Sequence, residues 1–157
     1  MSSPTPAAGE IVVVGLGPGD PGLLTRDAIH WLESGRPVHL RTRIHPTVDA
    51  LAGALPAAAA WAGFDRLYER AADFDALYAA IVAELLDAAV AAAAADGGAI
   101  VYAVPGHPTV GESTVARLRA AAPERGVRVR IVPGLSFVDA VAADLPIDPL
   151  VDGLQLV

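Results

Sequence analysis

Cysteine is absent from this 157-residue chain, and so is lysine: all eleven basic residues are arginine. Without cysteine there are no disulfides, no thiolate nucleophile and no cysteine-ligated zinc. Without lysine there is no phosphate-binding P-loop and no Schiff-base chemistry. Aromatic residues make up only 5 %, so alanine, valine and leucine must fill most of the interior. Charged residues reach only 18 %, and the net charge is -7. An acidic balance of this kind lacks the basic stripe of a nucleic-acid surface, so no nucleic-acid partner is expected. The start, Met1 to Gly9, has no basic region followed by an apolar core, and reads as an unstructured tail instead of a signal peptide. The run Ala88 to Ala95 reads as too short and too weakly apolar to span a bilayer, so a cytoplasmic protein without a membrane partner is expected.

What is present is a large apolar fraction, 54 %, with a mean hydropathy of +0.46. That is ample for one buried core. Ile11-Val12-Val13-Val14 is a continuous β-branched run ending at Gly15, the pattern of a central strand covered on both faces. Ala99 to Val104 repeats that pattern, and Val127 to Val132 alternates apolar and charged residues as a half-exposed edge strand would. Shorter strands are predicted at Pro37 to Leu40 and near Ala60 to Phe64. Helices are predicted after Thr25 or Asp20-Pro21, near His45-Pro46, from Asp73 or Asp75 to about Ala95, from Ser113 or Thr114, and from Ser136 to Ala143. The β-α alternation predicts an α/β fold, a mostly parallel sheet flanked by helices on both faces.

Three breaks fall just beyond the carboxyl ends of the strong strands: Gly15 to Asp20, Pro105 to Pro108, and Pro133 to Ser136. Ligands of open α/β sheets bind at such ends, and glycine lets a backbone approach a ligand closely. A dinucleotide site is rejected. Asp20 stands where that fingerprint needs glycine, and the second strand ends in Leu40-Arg41-Thr42 without an acid. Arg41 and Arg43 read either as a grip on an anionic group or as a solvated strand end. His45 and His107 both begin His-Pro-Thr-Val, which reads as shared strand-turn-helix grammar, not as a metal pair. Asp65, Glu69, Asp73 and Asp75 read as a solvated face and a helix cap. Gly134 to Val138 lacks the last glycine of a hydrolase elbow.

The segment Gly15-Leu16-Gly17-Pro18-Gly19-Asp20-Pro21-Gly22-Leu23-Leu24-Thr25 resembles the opening motif of the tetrapyrrole (corrin/porphyrin) methylases, which use S-adenosylmethionine. Pro105-Gly106-His107-Pro108 stands where that family has Gly-Asp-Pro, and Val132-Pro133-Gly134-Leu135-Ser136 is similar to the segment that opens its second domain. The resemblance runs from Glu10 to the end. Leu40 to Pro46, Phe64 to Tyr68 and the Pro105 segment are also similar to the branch fused to a MazG-type nucleotide pyrophosphohydrolase. It implies a tail over residues 1–9, an N-terminal lobe over 10–133, and over 134–157 only the start of a second lobe, as in a fragment. It implies S-adenosylmethionine contacts, mostly main-chain, from Pro18, Pro105, Gly106, His107, Val110, Ser136 and Phe137. Arg41, Arg43 and His45 would face a small anionic substrate, such as a tetrapyrrole. A homodimer is implied as well. The departures are His107 in place of the family aspartate, and the missing acid after strand two and downstream lysine. They put the substrate in doubt more than the cofactor, because methyl transfer from a sulfonium needs mainly positioning. Two rival readings follow: a non-catalytic module serving a fused MazG-type domain, and an RNA methylase, which the acidic balance disfavours.

Overall fold

A computed structural model describes residues 8–96 and 98–155. Five strands form one parallel sheet in the order β3-β2-β4-β1-β5. These are β1 (Gly9–Gly15), β2 (Val38–Leu40), β3 (Ala62–Gly63), β4 (Ala99–Val104) and β5 (Val127–Val132). Every residue from Ile11 to Val14 in β1 and every residue of β4 is buried, as continuous apolar runs require in a sheet covered on both sides. Alternation then divides the core. Ile11, Val13, Ile100, Tyr102 and Val104 face one layer; Val12, Val14, Val101 and Ala103 face the other.

The first layer is α4 (Phe74–Asp96) and α5 (Ser113–Ala121), which contribute Leu77, Ile81, Leu85, Val115 and Leu118. The second is α1 (Arg26–Leu32) and α2 (Pro46–Ala54), which contribute Ala28, Leu32, Val48 and Leu51. A short α3 (Asp65–Tyr68) follows β3, and α6 (Phe137–Asp144) follows β5. The run Ala88 to Ala95 lies within α4, and by length and composition alone that whole helix could cross a membrane. Here Leu77, Ile81, Leu85 and Ala89 of α4 are buried against the sheet, so it serves as a core helix.

Both proposed starts of the first helix are used. Asp20 caps a 3₁₀ turn, Pro21–Leu23, and the Thr25 hydroxyl accepts from the Ala28 amide at 3.2 Å to start α1. Asp73 Oδ1 accepts from the Ala76 amide at 2.8 Å at the head of α4. The expected tail lies mostly outside the described residues, but Ala8 donates to the Gly126 carbonyl and Gly9 already opens β1. The chain leaves β1 toward β2 and leaves β4 in the opposite direction, toward β5. The crevice beyond the carboxyl ends of β1 and β4 is therefore the switch point at which α/β sheets bind ligands.

Candidate functional site

Three glycines hold the strand ends together. A Cβ on Gly15 would lie 2.5 Å from the Gly106 carbonyl oxygen and 2.8 Å from Gly134 Cα. A Cβ on Gly134 would lie 2.7 Å from that same oxygen. The loops after β1, β4 and β5 therefore meet backbone to backbone, at a distance that no side chain permits. The α2 end is tied to them as well: buried Thr47 donates its hydroxyl to the Leu16 carbonyl at 3.2 Å, and Pro46 lies beside Gly19. Across the sheet end, the Thr25 hydroxyl donates to the Pro133 carbonyl at 3.3 Å.

Between these loops is a cleft of about 300 Å³. All seven residues singled out for cofactor contact line it: Pro18, Pro105, Gly106, His107, Val110, Ser136 and Phe137. His45 joins them from the N-terminus of α2. Gly17, Gly111 and Glu112 also line it, and the sequence reading missed these three. Gly17 belonged to a loop that was noticed, whereas nothing in the local pattern marked Glu112.

Arg41 and Arg43 do not line the cleft. The Arg41 guanidinium lies between the rings of Tyr68 and Tyr78, 4.9 and 5.2 Å from their centroids. Its Nε is 3.5 Å from Glu112 Oε1, and both side chains are mostly buried. Arg43 turns to the Trp61 carbonyl, and its amide donates to Asp65. Asp65 is thus a clamp on the chain after β2, not only a solvated acid. Burial pushes its carboxyl up, but the Thr42 hydroxyl and the Arg43 amide hold it below its ordinary value.

The polar groups of the cleft differ in how they are satisfied. Ser136 starts α6 with a capping box: its hydroxyl accepts from the Val138 amide, while Asp139 Oδ2 accepts from the Ser136 amide at 2.6 Å and hydroxyl at 2.9 Å. These bonds, the amide first, lower the Asp139 pKa, and the charge of His107 adds to the effect. His107 Nδ1 pairs with Thr109. His45 Nδ1 is buried without a hydrogen-bond partner among the described residues. Burial lowers the His45 pKa, against a weaker opposing pull from Asp49, so the ring favours its neutral form. Although both histidines face the cleft, no cluster of three metal-ligating side chains occurs among the described residues.

Residues 10–156 match the family model of the Tetrapyrrole (Corrin/Porphyrin) Methylases. The chain is 37 % identical over 150 residues to YabN of Bacillus subtilis (strain 168), a protein described as uncharacterized, covering 96 % of this chain and 29 % of that one. The structure aligns with the uroporphyrin-III-C-methyltransferase of Thermus thermophilus at a TM-score of 0.56 and 25 % identity, over 87 % of this chain and 52 % of that one. That enzyme complexed with S-adenosylhomocysteine aligns at 0.55 and 23 %, over 85 % of this chain and 48 % of that one. The chain thus spans under a third of its curated relative and about half of the solved neighbours.

Proposed function

Since the chain belongs to the tetrapyrrole (corrin/porphyrin) methylase family, we propose that its cleft holds S-adenosylmethionine and forms one wall of a methyltransferase active site. The observation that carries this reading is the backbone contact of Gly15, Gly106 and Gly134, which opens the cleft at the switch point. The residues fit the cofactor. Pro18, Val110 and Phe137 offer apolar surface to a nucleoside, and the volume suits a small ligand. The Ser136 hydroxyl keeps acceptor capacity beside its bonds to Val138 and Asp139, and His45 brings a ring whose Nδ1 has no hydrogen-bond partner among the described residues. When bound, the cofactor supplies an activated methyl group on a sulfonium. The protein's part is to fix the orientation of that methyl group and to exclude water from it.

The methyl acceptor is a small molecule, and tetrapyrroles are the first class to test. Arg41 and Arg43 were the reason to expect an anionic acceptor, and their turn away from the cleft removes that support from this half of the site. A second reading is a regulatory S-adenosylmethionine-binding module fused to a MazG-type pyrophosphohydrolase. His107 in place of the family aspartate favours it, and most of YabN lies outside the matched region. Calorimetric titration of S-adenosylmethionine into the full protein tests the site: micromolar binding is expected, and none at millimolar ligand overturns the proposal. Incubation with methyl-labelled cofactor and uroporphyrinogen III then separates an enzyme, which transfers label, from a module, which does not.

A further inference from the structure

We propose that Glu112 reads a cationic group of the nucleoside ligand in this cleft, and that Arg41 is the positioning residue that stations its carboxylate there. The inference rests on the cofactor reading above. Among the described residues that line the cleft, Glu112 alone carries a carboxylate, and no arginine lines it. One edge of that carboxylate is committed to the chain. Oε1 accepts from the Thr114 amide at 3.1 Å and from the Thr114 hydroxyl at 2.5 Å, and it faces Arg41 Nε at 3.5 Å. Thr114 is itself anchored, its hydroxyl 2.7 Å from the buried Tyr102 hydroxyl. Oε2 is paired with no described residue.

The cost of this arrangement is the argument for its use. A charged pair with side chains only 12 % and 10 % exposed loses most of its hydration. The geometry does not repay that loss well. Arg41 Nε and Nη1 are buried without a hydrogen bond, and the contact to Glu112 is longer than a good bidentate pair. An apolar pair would fill the space more cheaply. What Arg41 does achieve is fixation: its guanidinium carbon lies 4.9 and 5.2 Å from the Tyr68 and Tyr78 ring centroids, so its charge is stationed beside Glu112. The carboxylate is left with one edge unpaired among the described residues, at a cleft whose other lining residues are glycines, prolines, Val110, Phe137, Ser136, His45 and His107, none of them acidic. A free carboxylate edge at such a wall selects a cation or a strong donor and repels an anion. S-adenosylmethionine offers two cations, the sulfonium and the amino-acid ammonium.

The test varies ligand charge against Glu112. Calorimetry on the full protein uses S-adenosylmethionine, S-adenosylhomocysteine, which keeps only the ammonium, and 5′-methylthioadenosine, which has neither cation. Glu112→Gln still accepts from Thr114, so α5 keeps its cap. Because it leaves the buried Arg41 charge without its partner, melting temperatures are measured for it and for the double variant Glu112→Gln/Arg41→Met, and affinities are compared on the variants that fold. Glu112→Gln is expected to weaken S-adenosylmethionine by at least about tenfold and methylthioadenosine by less than about twofold. The S-adenosylhomocysteine result assigns the cation: a full loss identifies the ammonium, and no loss the sulfonium. Arg41→Met is expected to show the same ligand-dependent pattern at smaller size, whereas Arg41→Lys restores part of it. Equal losses for all ligands, or none, overturn the inference while leaving the cofactor site standing. Failure of the unmodified protein to bind any of the three overturns both.

Discussion

Gly17 and Gly106 exchange both backbone hydrogen bonds, the Gly17 amide donating to the Gly106 carbonyl at 3.2 Å and the Gly106 amide to the Gly17 carbonyl at 2.8 Å. Both have positive φ, +70° and +63°, which side chains rarely adopt. This pair is an antiparallel bridge just beyond the ends of the parallel strands β1 and β4, and it ties together two loops that line the cleft. Substitutions nearby should split by cause. Gly15→Ala drives a Cβ to 2.5 Å from a backbone oxygen that cannot yield, and should cost about 3 kcal/mol, the upper end for overpacking. Gly106→Ala meets nothing within 4 Å, so only its left-handed backbone is penalised, at about 1 kcal/mol. Urea unfolding measures both, and equal losses would contradict the close-contact account of Gly15.

Tyr102 gives the protein an alkaline limit. Burial, and then the charge of Glu112, pushes its phenol well above the ordinary value. In the unfolded chain the phenol ionises near pH 10. Above that pH the unfolded state releases a proton that the folded state keeps, so unfolding is favoured as pH rises. Stability is therefore full below about pH 10 and declines above it. Tyr102→Phe should lose about 1 kcal/mol at neutral pH, because the Thr114 hydroxyl keeps its bond to Glu112. In exchange the variant should show a flatter decline between pH 9 and pH 11, read from melting temperatures on a scale of about one pH unit.

Asp65 sets a limit at the acid end. Its carboxyl sits below its ordinary value, so its stabilising bonds to Thr42 and Arg43 are intact above about pH 4 and are lost as pH falls through the folded-state pKa. Asp65→Asn should cost about 1.5–3 kcal/mol at pH 7, the range for hydrogen bonds to a charged group. It should also weaken the acid dependence of unfolding. A variant as acid-sensitive as the parent would show that other carboxylates govern the low-pH transition.

The parts of the fold that could be read from sequence are those that local pattern dictates. Ile11 to Val14 and Ala99 to Val104 are apolar without a break, and only a strand covered on both faces needs that. Arg128 and Arg130 alternate with apolar neighbours because β5 is an edge, where Arg128 pairs with Glu10 and Arg130 lies over Trp31. The three ligand loops were legible because glycine and proline mark strand ends and because they follow a family order. Side-chain pairings across the fold were not legible. Arg41 meets Glu112, 71 positions later, only after β2 and β4 become neighbours. Asp65 finds Thr42 and Arg43 only after β3 pairs with β2. Such contacts leave no periodicity, and a charged residue that will be buried looks in sequence like one that stays in water.

Ser136 performs two tasks that substitutions can separate. Its hydroxyl caps α6 by accepting from the Val138 amide at 3.2 Å, and the residue forms part of the cleft wall. Ser136→Ala removes the cap without narrowing the cleft. It should lower stability by about 1 kcal/mol. It should also release Asp139 from the hydroxyl that helps to hold its carboxyl down. Ser136→Thr keeps a capping hydroxyl, so stability should stay within about 0.5 kcal/mol of the parent. Its added methyl is placed on the cleft wall. Affinity for S-adenosylmethionine should then fall by several-fold, since the methyl takes cleft space that the ligand would fill. Melting temperature and calorimetric affinity, measured on both variants, should thus move in opposite order. If affinity follows stability in both, Ser136 acts through α6 alone, and the ligand does not reach this wall of the cleft.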